Sequence, residues 1–80
     1  MYFVIWDDIN LAKIGLNDVT VDEVEEIANR ATSTVISRSS SRQMLVGWTS
    51  SGRRLVVPFD WVDQYRTTIR PVTAYEPEEA

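Results

Sequence analysis

Between Ser41 and Trp61 the chain reads SRQMLVGWTSSGRRLVVPFDW, two β-prone arms joined at Ser51-Gly52. A Ser-Gly dipeptide between two such runs signals a tight primed turn, with the glycine free to take positive φ. A two-residue tip there sets Ser50 opposite Arg53. The rest follows: Trp48 opposite Leu55, Val46 opposite Val57, Met44 opposite Phe59 and Arg42 opposite Trp61. That register gathers the large apolar side chains on one side of the sheet. Thr49, Arg54, Gly47, Gln43 and Asp60 fall on the other, with Leu45, Val56 and Pro58 as apolar exceptions. Side chains alternate with period two, so a slip of one residue would exchange partners along both arms.

The flanking segments supply what such a hairpin packs against. Tyr2–Trp6 is a β-branched and aromatic run that predicts a first strand. Asp7 or Asp8 then caps a short helix, with Ile9, Ala12 and Leu16 on one side and Asn10 and Lys13 left to solvent or to a site. Thr20-Val21-Asp22-Glu23 matches the capping box, in which hydroxyl and carboxylate each satisfy a free backbone N–H. Val21, Val24, Ile27, Ala28 and Ala31 follow at helical spacing, predicting a helix over 21–31 laid apolar side down on the sheet. A strand is expected over Thr32–Arg38, a polar turn at Ser39–Ser41, a connection over Asp60–Gln64 and a last strand over Tyr65–Tyr75. Pro58 has no N–H to give a ladder, and a bulge near Pro71 would bring both Ile69 and Val72 to the core. The expected fold is α+β: an antiparallel sheet of four to five strands with two N-terminal helices packed on one face. Residues 1–76 would form a single domain and 77–80 a flexible acidic tail.

Composition narrows the chemistry. A chain of 80 residues buries only about 60–65% of the surface it exposes when unfolded, so it gains from a partner or an oligomer. Cysteine and histidine are both absent. That removes thiolates, the usual metal ligands, Ser-His and Cys-His nucleophile pairs and imidazole acid–base work. The three glycines, at 15, 47 and 52, are scattered, so no phosphate-cradling loop exists and no cofactor is expected. No apolar run is long enough for a membrane span, and the first residues lack the basic start of a signal peptide, so the expected location is cytoplasmic.

The net charge of −4 hides an asymmetry. From Arg30 to Arg70 seven arginines meet only Asp60 and Asp63, whereas outside that stretch Lys13 stands alone against ten carboxylates. The planar fork of arginine suits phosphate oxygens better than the point charge of lysine. Mutual neutralisation of the two halves across the fold is the bland alternative. The arginines and hydroxyls permit one kind of catalysis, RNA cleavage, in which cations stabilise a pentavalent phosphate and the 2′-hydroxyl is held in line. Arg42, Arg53 and Arg70 are the candidates for charge stabilisation, with Arg38 and Arg54 as further phosphate contacts. Tyr65 and Tyr75 are candidates for stacking on unpaired bases.

The order WDDIN, K, VTVDEVEE, then SRSSSR, VGWTSSGRRLVVPF and IRPVTAY resembles the small BrnT-like toxins of bacterial toxin–antitoxin pairs, within the wider RelE-like ribonuclease group. The resemblance runs from Ile5 to Glu76. It rests on Trp6-Asp7 with Asn10, Val19-Thr20, Arg42, Gly47, Thr49, Gly52-Arg53 and Val72-Thr73-Ala74-Tyr75. It implies a compact α+β toxin that cleaves RNA without a metal and is blocked by an antitoxin protein. By position it implies a charged site of Lys13, Arg42, Arg53 and Arg70, with Thr73 and Tyr75 beside it. Where such relatives carry histidines, this chain has Lys13 and Asn17-Asp18, and Tyr75 stands where an arginine is usual. Two other functions fit the same sequence. One is a non-catalytic interaction module, or decayed toxin, docking through its sheet. The other is a homo-oligomer that buries Trp48, Phe59 and Trp61 between copies.

Overall fold

A computed structural model describes residues 1–31 and 34–78. Its elements are β1 (Phe3–Val4), α1 (Asp8–Leu16), α2 (Val21–Arg30), β2 (Val35–Ile36), β3 (Gln43–Trp48), β4 (Arg54–Trp61) and β5 (Thr68–Pro71). They form one five-stranded sheet in the order β1-β5-β4-β3-β2, antiparallel except that β1 runs parallel to β5. The α+β class and the paired N-terminal helices match expectation, and the parallel edge makes the sheet mixed. Of the strand expected over Thr32–Arg38, only Val35–Ile36 is a strand, and Thr32 and Ser33 lie outside the described residues. Glu79 and Ala80 of the expected tail do so too. No helix among the described residues is long and apolar enough to cross a membrane.

Both helices start at reciprocal caps. In α2 the Thr20 hydroxyl accepts from the Glu23 N–H (3.2 Å) while the Glu23 carboxylate accepts from the Thr20 N–H (3.0 Å). In α1 Asp7 and Asn10 repeat the arrangement, each side chain accepting from the other's backbone N–H at 2.9 Å. Asn10 also donates to the Ile5 carbonyl at 3.0 Å and is wholly buried. The expectation that Asn10 is left to solvent or to a site is therefore corrected: its side chain closes the cap beneath the chain. The apolar side of α1 is corrected with it. Ile14 enters the core, while Ile9 and Leu16 are 63% and 84% exposed.

The hairpin forms, one residue out of the expected register. Gln43 pairs with Phe59, Leu45 with Val57, Gly47 with Leu55 and Trp48 with Arg54. The physical reason lies at the tip. Thr49 donates its N–H to the Arg53 carbonyl (2.8 Å) and accepts from the Gly52 N–H (3.0 Å). Ser50, Ser51 and Gly52 thus make a three-residue loop, closed by Gly52 at φ +89°. The Thr49 hydroxyl secures it by accepting from the Arg53 N–H (3.1 Å) and sharing a hydrogen bond with Ser51 (2.8 Å). This is the turn with a left-handed glycine that follows two-residue loops in frequency.

The slip replaces the expected partners. Leu45, Leu55, Val57 and Phe59 meet Ile14, Val24, Ile27, Ala28, Ile69 and Ala74 in one core. Gly47 lies on the same face because α2 comes so close that a Cβ there would sit 3.2 Å from Ile27 Cδ1. Trp48, expected opposite Leu55, instead stands on the far face, 57% exposed. β4 continues through Asp60 and Trp61, where a connection was expected, and β5 is confined to Thr68–Pro71. Beyond Pro71 the expected bulge is present: three steps along β4, from Phe59 to Val56, answer to four along the closing segment, from Pro71 to Tyr75. Ile69 and Pro71 are buried, as is Ala74, whereas Val72 is only half-buried.

Candidate functional site

The sheet has one face under the helices and one open face, and strand alternation decides which cations occupy which. Leu55 and Val57 point into the core, so by alternation Arg54 and Val56 lie on the other face, where Val56 is itself buried. Arg54 lies across the strand from Trp48, its guanidinium carbon 6.0 Å from the indole centre. Val56 is bridged by Tyr75, a residue 36% exposed. Further along the same face Asp60 lies opposite Arg70, and Arg42 reaches Asp60 at 3.3 Å. Arg42, Arg54, Arg70 and Tyr75 are therefore brought to one face, with Trp48 among them. Trp48 was missed as a site residue because the expected register placed it in the core.

The remaining candidates are elsewhere. Lys13 is exposed on α1, Arg38 in the turn before β3, and Tyr65 (77% exposed) in the β4–β5 loop. The Thr73 hydroxyl accepts from the Asn17 side-chain amide at 3.3 Å. Arg53 departs most from its expected role. Its parity is that of Leu55, and its side chain turns to the helical layer. There Nη1 donates to Glu23 (3.0 Å) and to the Asp18 carbonyl (2.6 Å), Nη2 donates to the Asn17 carbonyl (3.3 Å), and Nε donates to Glu76. The Glu76 contact, with Glu23 adding to it, raises its already high pKa. Arg53 ties the hairpin tip, the α1–α2 link, the α2 cap and the closing segment together.

Two of the open-face cations also have internal partners. Arg70 contacts the Asp7 carboxylate through both Nε and Nη2 at 2.7 Å. The Asn10 N–H and then Arg70 hold the Asp7 carboxyl below its ordinary range, against the opposing effect of desolvation. Among the described residues Lys13, Arg38, Arg54 and Arg66 form no ion pair, the last lying 5.9 Å from the Trp61 ring centre. Comparison with protein-family models, curated proteins and solved structures finds no match.

An open β-face carrying aromatic rings and guanidinium groups suits a single nucleic-acid strand. Bases stack on rings, forks take phosphate oxygens, and sheet spacing presents both at intervals. The ion pairs at Arg42 and Arg70 do not block this. Both arginines are more than a third exposed, where such pairs contribute little and exchange for a phosphate at little cost. Arg53, with hydrogen bonds from all three of its side-chain nitrogens, is a fastener.

Proposed function

We propose that this chain acts on RNA as the toxin of a toxin–antitoxin pair, gripping a single-stranded segment across the open face of its sheet. The observation that carries this reading is the placement of Trp48, Arg54, Tyr75, Arg42 and Arg70 on the one face that no described helix covers. Arg54 and Arg70 take phosphates on either side of the scissile bond, Trp48 and Tyr75 hold the flanking bases, and the 2′-hydroxyl is held in line by the strand's fixed path. Catalysis on this face works by orientation and charge stabilisation, since no imidazole exists to move the proton.

Induced expression should arrest bacterial growth, and purified protein should cleave single-stranded RNA. The triple substitution Arg42→Ala, Arg54→Ala, Arg70→Ala should abolish both. A second reading, a non-catalytic interaction module, is favoured by one observation: Arg53 is engaged by Glu23 and Glu76, and Arg70 by Asp7. That reading predicts no arrest and no cleavage, with co-purification of a partner protein that the triple substitution weakens.

A further inference from the structure

β1 is an end strand of the sheet, and only its β5 side is paired. Phe3 and Ile5 donate their N–H groups toward β5, to the Thr67 and Ile69 carbonyls, both at 2.9 Å. A parallel ladder uses alternate residues of a strand, so the N–H and C=O of Val4 point to the free side. Trp6, two residues on, makes no backbone hydrogen bond among the described residues. Tyr2 closes the other end by donating its N–H to the Ala28 carbonyl at 3.1 Å. A cavity of about 250 Å³ opens beside this edge among Tyr2, Phe3, Val4, Glu25 and Asn29. Glu25 is half-buried and forms no ion pair among the described residues. Its carboxylate accepts only a long 3.4 Å hydrogen bond from the Trp6 indole N–H. On the other face of the strand, Phe3 and Ile5 are 63% and 44% exposed.

We infer that this edge takes up an extended segment of a partner protein as an added antiparallel strand, with a lysine or arginine between two apolar residues. The inference is independent of the reading that the chain acts on RNA. The partner's basic residue lies opposite Val4 and exchanges both backbone hydrogen bonds with it. Its side chain then falls on the helix side of the sheet, where the Glu25 carboxylate takes the cation. The two apolar neighbours lie opposite Phe3 and Ile5 on the other face and cover them. Antiparallel pairing is the more stable of the two directions per residue. Charge selects the occupant. A second copy of this chain would set its own Glu25 beside Glu25 at the paired edges, carboxylate near carboxylate, whereas a basic strand neutralises it.

Capped pentapeptides with a central lysine between two valines, and a threonine at each end, test this on the full chain. In 15N-edited NMR titrations the peptide should shift the Val4 and Trp6 amides and the Trp6 indole N–H. It should bind about tenfold or more tighter than the same peptide with glutamate in place of lysine. Methylating the lysine's backbone nitrogen removes the bond to the Val4 carbonyl and should weaken binding about tenfold. The N–H of the following valine points away from β1, so methylating it instead should leave affinity within about twofold. Glu25→Gln keeps an acceptor for the Trp6 indole and removes the charge. It should bring the lysine and glutamate peptides to within about twofold of each other, in a spectrum that is otherwise folded. No shift of Val4 or Trp6 at millimolar peptide, or equal binding of the two peptides to the unsubstituted chain, would overturn the inference. So would shifts at this edge that follow protein concentration without peptide, which would make a second copy the occupant.

Discussion

Arg53 and Asp7 show how single side chains join elements that are distant in sequence. Arg53 collects two carboxylates and two carbonyls from three segments, so shortening it leaves several partly buried acceptors unpaired. Arg53→Ala should lower stability by about 1–2 kcal/mol, read as a fall of roughly 5–15 °C in Tm for a domain of this size. It should leave the affinity for single-stranded RNA within about twofold, because its guanidinium does not reach the open face. At Asp7 the Asn10 N–H is the main cause of a lowered pKa, and at Asp63 it is the Thr67 hydroxyl. Burial pushes Glu23 up, but the Thr20 N–H and Arg53 outweigh it, and at Glu26 the Ser50 N–H lowers the value. All four bind protons more weakly folded than unfolded. Their contribution is therefore fully present above about pH 5, and it should be lost progressively as pH falls through about 4.5 and below. Urea melts at pH 7, 5, 4 and 3 check this. A midpoint that stays level down to pH 3 would contradict it.

At the level of elements, α2 and the β3–β4 hairpin hold the fold, and their sequence signals differ in quality. The α2 signal is local and complete: a capping box followed by apolar residues at helical spacing. Thr20→Ala should cost about 1 kcal/mol, measured by denaturant unfolding. Gly52→Val forces a β-branched residue to φ +89° and should cost more than 1 kcal/mol, with the hairpin amides exchanging faster. The hairpin itself was legible from its alternating arms, but its register was not. Ser51-Gly52 fits a two-residue tip as well as a three-residue one, and the Thr49 hydroxyl bonds that choose the latter have no mark in the composition. Gly47 was the overlooked clue. A glycine inside a strand marks a close approach of another backbone or helix, and it lies on the face that receives Ile27. Asn10 was misplaced because it follows an Asp-Asp pair in which either residue could cap. Only a cap at Asp7 puts Asn10 at the third helical position, where it reaches back under the chain.

Across the whole molecule, the charge asymmetry resolves into two uses. Part of the cationic β half is spent on internal neutralisation, through Arg53 to Glu23 and Glu76, and through Arg30 to Glu26. Arg42, Arg54 and Arg70 are displayed on the open face with Trp48 and Tyr75, and there the proposed RNA grip is concentrated. If about three phosphates are contacted, log affinity should fall with log salt at a slope near −2, at roughly 0.7 per phosphate for single strands. A slope near zero would mean that the arginines play no part. The measurement that most directly tests the proposed grip is a titration of the folded protein with a short single-stranded RNA, followed residue by residue through backbone amide and indole N–H resonances. The predicted result is a contiguous set of shifts on Trp48, Arg54, Val56, Arg70 and Tyr75, with α1 and α2 unmoved. Shifts confined to the helical layer, or none at saturating RNA, would contradict it.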